Sequence, residues 1–328
     1  MTGAILAVDG GNAKTDLALV SADGAVLALV RGPGSSPHEH GLDGALDRIE
    51  ALLAEAQLTA GASELAIADL SMAGVDFPHE VETARRRIEE RGWAPRVEVG
   101  NDTHALLRAG TDRGWGVAVV CGAGINCAGI GPDGREARFP ALGETTGDWG
   151  GGYDLGRAAV FAAARSEDGR GPRTTLEQAV AAHFGFPSLL ALAEAVHLDQ
   201  LPKRRFVELA PLVLAEAPQD PVAAELIDRL AGEIVSFVRV ALERIGPLPE
   251  PADVILGGGI LRARHPQLLS GVEAGLAELG VPLATHVVDA PPVLGAALLG
   301  LDRLGAPDAA RDRVRRELAP EMAEVSHG

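Results

Sequence analysis

Three short apolar runs open the chain, "AILAVD" at 4–9, "TDLALVS" at 15–21 and "AVLALVR" at 25–31. Each has the length of a strand, and the Asp23-Gly24 pair between the last two is a hairpin turn signal. The spacing of apolar residues then lengthens to three and four. It predicts a helix over 42–58, a strand at 64–71, a helix over 79–91, a strand at 96–100 and a helix from about 103. The order is βββαβαβα.

The opening plan recurs. Residues 116–139, "GVAVVCGAGINCAGIGPDGREARF", again give an apolar strand, a glycine-rich turn, a second strand, an Asp133-Gly134 turn and a third strand. Such duplication implies two similar α/β domains facing each other, their glycine loops pointing into a shared cleft. Residues 154–246 are mostly helical in pattern, broken by proline at 218–221, and read as an insertion in the second domain. A strand follows at 252–256, then a helix at about 266–279, a strand at 283–288 and helices at about 293–304 and 307–318, with 321–328 a frayed tail. The expected domains are 1–112 and 113–328, the last helix being free to pack on the first domain.

Composition narrows the function classes. A chain of 328 residues exceeds the size at which one core keeps growing. Its 47% apolar content with 3% aromatics describes an Ala/Leu/Val-rich globular protein. A net charge of −17 without a compact basic stripe argues against nucleic acid as a partner. Two cysteines, Cys121 and Cys127, cannot build a disulfide framework, and the start "MTGAILAVDGG" has neither the basic flank of a signal peptide nor the length of a membrane span. The expectation is a cytoplasmic protein with no membrane partner.

Glycine clusters stand directly after three apolar strands: Gly10-Gly11, Gly122-Ala123-Gly124 and Gly257-Gly258-Gly259. Turns of this kind free backbone N–H groups for phosphate oxygens and let phosphates approach closely. None is a GxxxxGK[ST] loop, and none is a dinucleotide fingerprint opening a helix. His38 and His40, two apart in a Pro/Gly loop without a third ligand, read as surface histidines.

Five stretches in order resemble the sugar-kinase, heat-shock ATPase and actin superfamily, and within it the N-acetylglucosamine kinase group of the BadF/BadG/BcrA/BcrD ATPase family. They are "VDGGNAKTDLALV" (8–20), "NDTHALLRAG" (101–110), "CGAGINCAGI" (121–130), "GDWGGGYDLG" (147–156, similar to the family's GDEGSGYWLG) and "VILGGGIL" (254–261). The resemblance spans nearly the whole chain and implies two duplicated ribonuclease-H-like, actin-like ATPase domains around a central cleft, with ATP and Mg²⁺ as cofactors. By the same resemblance Asp9 faces the metal, while Gly10, Gly11, Asn12, Lys14, Thr15, Gly122, Ala123, Gly124, Gly257, Gly258 and Gly259 hold the nucleotide. Asp102 is the general base, Asp148 a second catalytic acid, and Ser35, Ser36, Asn101, Asp102, Asn126, Gly143 and Asp148 contact the sugar. The chain departs from the family at Asn12 and Ala13, where a glycine and a threonine are usual, and at Ala123, where the second loop usually carries a threonine.

The implied activity is ATP-dependent phosphorylation of the 6-hydroxyl of N-acetylglucosamine or a related amino sugar, possible as a homodimer, with glucosamine and N-acetylmuramic acid as competing substrates. Two other classes stand beside it. An ATPase activator of a 2-hydroxyacyl-CoA dehydratase needs cluster-ligating cysteines at an interface, whereas Cys121 and Cys127 lie in a phosphate loop. A sugar-sensing regulator needs a DNA-reading module, for which the first strand begins too early. On local sequence alone, Asp102 reads equally well as a helix N-cap.

Overall fold

The computed structural model describes residues 3–61, 64–249 and 251–325. In chain order its elements are β1 (Ala4–Gly10), β2 (Lys14–Ser21), β3 (Val26–Pro33), α1 (Pro37–Ala60), β4 (Leu65–Met72), α2 (Pro78–Arg91), β5 (Val97–Gly100) and α3 (Asp102–Gly110). There follow β6 (Gly116–Cys121), β7 (Ile125–Ile130), β8 (Glu136–Arg138), α4 (Gly151–Glu167), α5 (Leu176–His183), α6 (Leu189–His197), α7 (Ala210–Glu216) and α8 (Pro221–Ile245). The chain ends with β9 (Ala252–Gly257), α9 (Gly259–Arg262), α10 (Pro266–Ala277), β10 (Leu283–Val287), α11 (Pro292–Arg303) and α12 (Asp308–Val325).

Two five-stranded sheets carry the same plan, one ordered β3-β2-β1-β4-β5 and the other β10-β9-β6-β7-β8. In each, three strands form an antiparallel meander, and the first of them pairs on its other side with a parallel strand that pairs in turn with a second. The duplication read from the sequence is therefore a duplication of topology.

The chain divides into two units, one built from the chain up to Trp115 together with the segment from Val288 onward, the other Gly116–Val287. The first sheet is covered on both faces, which is why β1 is apolar without interruption. Leu6, Val8, Leu17 and Leu19 meet Leu46, Ile49 and Leu53 of α1 and Ile88 of α2. Ile5, Ala7, Ala18 and Val20 meet Val293, Leu294, Leu298 and Leu301 of α11 and Val314 and Leu318 of α12. Residues from 288 onward, expected in the second domain apart from the last helix, thus return to the first sheet. Periodicity marks the apolar face of α11 but not the sheet that face will cover.

In the second unit Val117, Val119, Val254 and Leu256 share one core with Ile227, Leu230, Ile234 and Val238 of α8 and Leu155 and Ala159 of α4. The expected helical insertion is α4 to α8, and Asp220 caps α8 at the predicted break by accepting from the backbone N–H groups of Val222 and Ala223. Two boundaries differ from the sequence reading. The helix expected from 42 begins at Pro37, because "PHEH" makes a turn of its own that joins the main helix across Gly41 at φ 67°. The stretch 321–328 continues α12 as far as Val325, and 326–328 lie outside the described residues.

Candidate active site

Ligand sites in α/β sheets of this kind lie beyond the carboxyl ends of the parallel strands. In the first unit four loops meet along that edge. The hairpin tip 11–13 between β1 and β2 projects from it, with Asn12 and Ala13 exposed. Gly11 N–H donates to Lys14 O at 3.0 Å, Ser35 N–H to Gly11 O at 3.1 Å, and Ala73 N–H to Gly10 O at 2.8 Å. A Cβ on Gly10 would stand 2.8 Å from Ser35 Oγ, and one on Gly34 only 2.0 Å from Asn12 O, so these turns can approach only because side chains are missing.

The side chains along this edge are strongly polar. Asp9 is buried at the end of β1, directly opposite Asp16 of β2. The Asp16 carboxylate is fully buried and accepts from Arg31 Nε at 2.6 Å, Arg31 Nη2 at 3.1 Å and Lys14 Nζ at 2.7 Å. The Lys14 ammonium, expected at the phosphates, is thus engaged at the foot of its own loop. The Thr15 hydroxyl is buried, 2.9 Å from Pro33 O and 2.7 Å from Ser35 Oγ, so both Thr15 and Ser35 bind the two loops to each other. Ser36 Oγ is buried with no hydrogen-bond partner. A Cβ added at Gly74 would stand 3.1 Å from it.

At the end of β5 the two readings of Asp102 separate. Asn101, not Asp102, caps α3, its Oδ1 accepting from Thr103 N–H at 3.1 Å and Thr103 Oγ1 at 2.8 Å. Asp102 is the first residue of the helix and half-buried. Burial pushes its carboxyl up to about 6, against the Thr103 backbone N–H and the His104 charge, which favour the ionised form. A carboxyl with that proton affinity, not serving as the cap, can exchange a proton near neutral pH. Sequence reading missed Asp76, whose Oδ1 accepts from Asn101 Nδ2 at 2.8 Å. Its position just past the parallel strand β4 was the available signal.

The second unit builds its edge from backbone. Gly122 N–H donates to Gly124 O at 2.9 Å, while Gly152 N–H and Tyr153 N–H at the start of α4 donate to Gly122 O at 2.7 Å and Ala123 O at 2.9 Å. Gly151, at φ +77°, leaves room for Gly124, whose Cα would be 2.4 Å from an added Cβ. Gly258, at φ +93°, lies as tightly against Cys121, with its carbonyl oxygen 2.3 Å from an added Cβ. Gly122–Gly124, Gly150–Gly152 and Gly257–Gly259 are therefore one packed cluster, with Gly124 and Gly259 exposed.

Next to it, Asp148 N–H donates to Gly143 O at 3.1 Å, and the Asp148 carboxylate accepts from the Thr146 hydroxyl. Arg229 of α8 stacks 3.9 Å over the Trp149 ring. Asn126 is half-buried on β7, and its Oδ1 accepts from Cys127 N–H at 2.7 Å. Cys121 and Cys127 are buried in the core of the unit, and burial pushes the Cys121 thiol up to about 12 and that of Cys127 higher still. Neither is presented as an iron–sulfur ligand would have to be. His38 is exposed and His40 half-buried with Glu39 3.7 Å away, and among the described residues no group of three or more His, Cys, Asp or Glu side chains is placed to hold a metal ion.

Two topologically equivalent α/β units, each with a glycine turn at the carboxyl edge of its first strand, define the actin-like ATPase fold. The chain belongs to the BadF/BadG/BcrA/BcrD ATPase family, whose sequence model matches residues 6–300. It is 26% identical over 261 residues to an N-acetylmuramic acid/N-acetylglucosamine kinase of Clostridium acetobutylicum, covering 78% of this chain and 85% of that one. It is 24% identical over 324 residues to an N-acetyl-D-glucosamine kinase of Dictyostelium discoideum, covering 90% and 97%. Among solved structures, one from Chromobacterium violaceum, described as a candidate N-acetylglucosamine kinase, superimposes with a TM-score of 0.72 at 24% identity, over 92% of this chain and 99% of that one. No helix among the described residues is long and apolar enough to cross a membrane.

Proposed function

We propose that this protein is an ATP-dependent kinase that transfers the γ-phosphoryl group to the 6-hydroxyl of N-acetylglucosamine or a closely related amino sugar. The observation that carries the reading is Asp102, a half-buried carboxyl relieved of helix capping by Asn101 and held near 6 by its surroundings. It accepts the proton of the attacking hydroxyl. The loop with Ser36 contacts the sugar in the first unit, and Asn126, Gly143 and Asp148 do so in the second, while the buried Asn101 amide, engaged by Thr103 and Asp76, serves the start of α3 instead. Lys14 and Thr15 stabilise the first phosphate loop through Asp16 and Ser35, and the exposed hairpin tip at Asn12, whose turn Gly10 and Gly11 shape, meets the phosphates. Ala123 and Gly124 offer backbone groups to the phosphates, Gly122 shaping their turn through its bonds to Gly124 and Gly152, and Gly257, Gly258 and Gly259 offer theirs to the adenosine.

A magnesium ion fits the donor chemistry of the first unit. Mg²⁺ keeps most of its waters and is held by one or two carboxylates together with nucleotide phosphates, so a single Asp9 beside a backbone turn suffices. When bound it would neutralise charge on the phosphates.

An ADP-release assay against N-acetylglucosamine, glucosamine and N-acetylmuramic acid tests the reading. Sugar-dependent ADP formation with the N-acetylated sugars is expected, the names of the two curated relatives supporting that choice. ATP hydrolysis that runs equally fast without sugar would replace the kinase with an ATPase. Light scattering of the purified protein tests the proposed homodimer, and fractionation of the native cell its cytoplasmic location.

A further inference from the structure

A side-chain hydrogen bond links the turn before α2 to the cap of α3, and Asp102 stands at the start of α3. Asp76 lies in the turn before α2, where Glu80 Oε2 accepts from both Asp76 N–H and Phe77 N–H at 2.9 Å and fixes the backbone of that turn. From there the Asp76 carboxylate accepts from Asn101 Nδ2 at 2.8 Å. The other end of the same amide accepts from Thr103 N–H and Thr103 Oγ1, Thr103 itself being buried.

Polarity fixes the direction of the amide. Its oxygen faces two donors and its nitrogen a pure acceptor, so a flipped amide would set NH₂ against the Thr103 N–H and oxygen against a carboxylate. The carboxylate also lies close to the starts of two helices, where negative charge is favoured. Without Asp76 the Asn101 amide loses the acceptor on its nitrogen side, and the first turn of α3 loses a tie to the turn before α2. Asp102 is the next residue along the chain.

We infer that Asp76 is a positioning residue for the phosphoryl transfer, acting through Asn101 to hold the first turn of α3, and with it the Asp102 carboxylate, where the acceptor hydroxyl is deprotonated. The inference rests on the assignment of Asp102 as general base. Asp76 acts on geometry alone, so its loss falls on kcat and leaves sugar KM nearly unchanged.

Steady-state kinetics of the full-length protein test this with Asp76→Ala, Asp76→Asn, Asn101→Ala, the Asp76→Ala/Asn101→Ala double variant and Asp102→Asn. Displacing a catalytic group by about an ångström costs up to ~100-fold, so Asp76→Ala is expected to lower kcat by ~10- to 100-fold with sugar KM within about threefold of wild type. Asp76→Asn keeps an oxygen that accepts from Asn101 Nδ2 and recovers most of the rate. In the Asn101→Ala background Asp76→Ala has no further effect, because the path is already cut. If Asp76→Ala does not fold, Asp76→Glu, which keeps the charge but moves the oxygen, shows a kcat loss of the same sign.

Wild-type kcat in Asp76→Ala, a change confined to KM, or full additivity in the double variant would each overturn the inference. Asp102→Asn separates its failure from that of the underlying reading. An active Asp102→Asn removes the general base, whereas an inactive Asp102→Asn beside a fully active Asp76→Ala refutes the positioning role alone.

Discussion

The two sheets share strand order and direction, yet their carboxyl edges are built from different materials. The first is held by side chains: Asp16 with Lys14 and Arg31, Thr15 with Ser35, and Asp76 with Asn101. The second is held by backbone, with Gly151 against Gly124 and Gly258 against Cys121 at separations that exclude even a methyl group. Side-chain networks hold a carboxylate at a chosen position and tune its proton affinity. Packed glycine turns leave N–H groups facing outward and keep side chains away from an anion or a flat ring. On the proposed reading, proton transfer draws on the side chains of the first edge, and both edges meet the nucleotide through backbone turns, the second holding the adenosine.

The sharpest way to break this division is to remove the carboxyl from the first edge. Asp102→Asn keeps shape and hydrogen-bonding capacity but cannot accept a proton, and general-base assistance is worth roughly 10²–10⁴-fold. Turnover should fall by at least that range, with ATP affinity measured by calorimetry unchanged. The burial that raises the carboxyl's pKa disfavours its charge, so the folded state binds the proton more tightly than the unfolded chain does. This destabilising contribution is fully present above about pH 6 and fades as pH falls from 6 toward the ordinary value of 3.8. Asp102→Asn should therefore melt no lower than wild type at pH 8.

The second edge breaks through its backbone. Gly258→Ala places a methyl 2.3 Å from the Cys121 carbonyl oxygen at φ +93°, whereas at Gly122 and Gly124 an added Cβ meets nothing within 4 Å. Backbone strain alone costs about 1–3 kcal/mol at such a position. Gly258→Ala is expected to lower the melting temperature by several degrees and weaken ATP binding, whereas Gly122→Ala keeps the wild-type melting temperature. Equal destabilisation by the two would mean that close approach does not hold this edge.

A smaller, graded effect comes from pH. Asp102 must be ionised to act and titrates near 6, so kcat/KM should be flat above about pH 7 and fall toward tenfold per unit well below 6. An acid limb near pH 4 would indicate a solvated carboxylate.

Much of this was legible in the sequence, and the gaps have physical causes. Short apolar runs located the strands and three-to-four-residue spacing the helices, and the repeat of strand, glycine turn and strand announced the duplicated topology. The attachment of α11 was hidden, since the apolar stripe of Val293, Leu294, Leu298 and Leu301 would suit either sheet. At the candidate site, residue types pointed to loops that lie at the carboxyl edges of the sheets, but not to the partners inside them. "NDT" offers two capping residues in succession, and the choice of Asn101 over Asp102 depends on Asp76, 25 positions away from Asn101. The engagement of Lys14 with Asp16 is likewise a matter of register.

Lys14 supplies the finest test, because a lysine in a phosphate loop invites a larger role than its contacts support. Its ammonium is bound to Asp16 at 2.7 Å with 38% of the side chain exposed, while Arg31 holds both oxygens of the same carboxylate from the next strand. Exposed ion pairs contribute about 0–1 kcal/mol, and Asp16 keeps its half-buried partner Arg31 when Lys14 is removed. Lys14→Met should therefore change stability by less than about 1 kcal/mol in urea titrations. If the lysine acts only on the foot of the hairpin, KM for ATP should rise by no more than about threefold, equivalent to ~0.7 kcal/mol. A rise of a hundredfold would place the ammonium on the phosphates during turnover, so that a side chain of the first edge would join its backbone in binding the nucleotide.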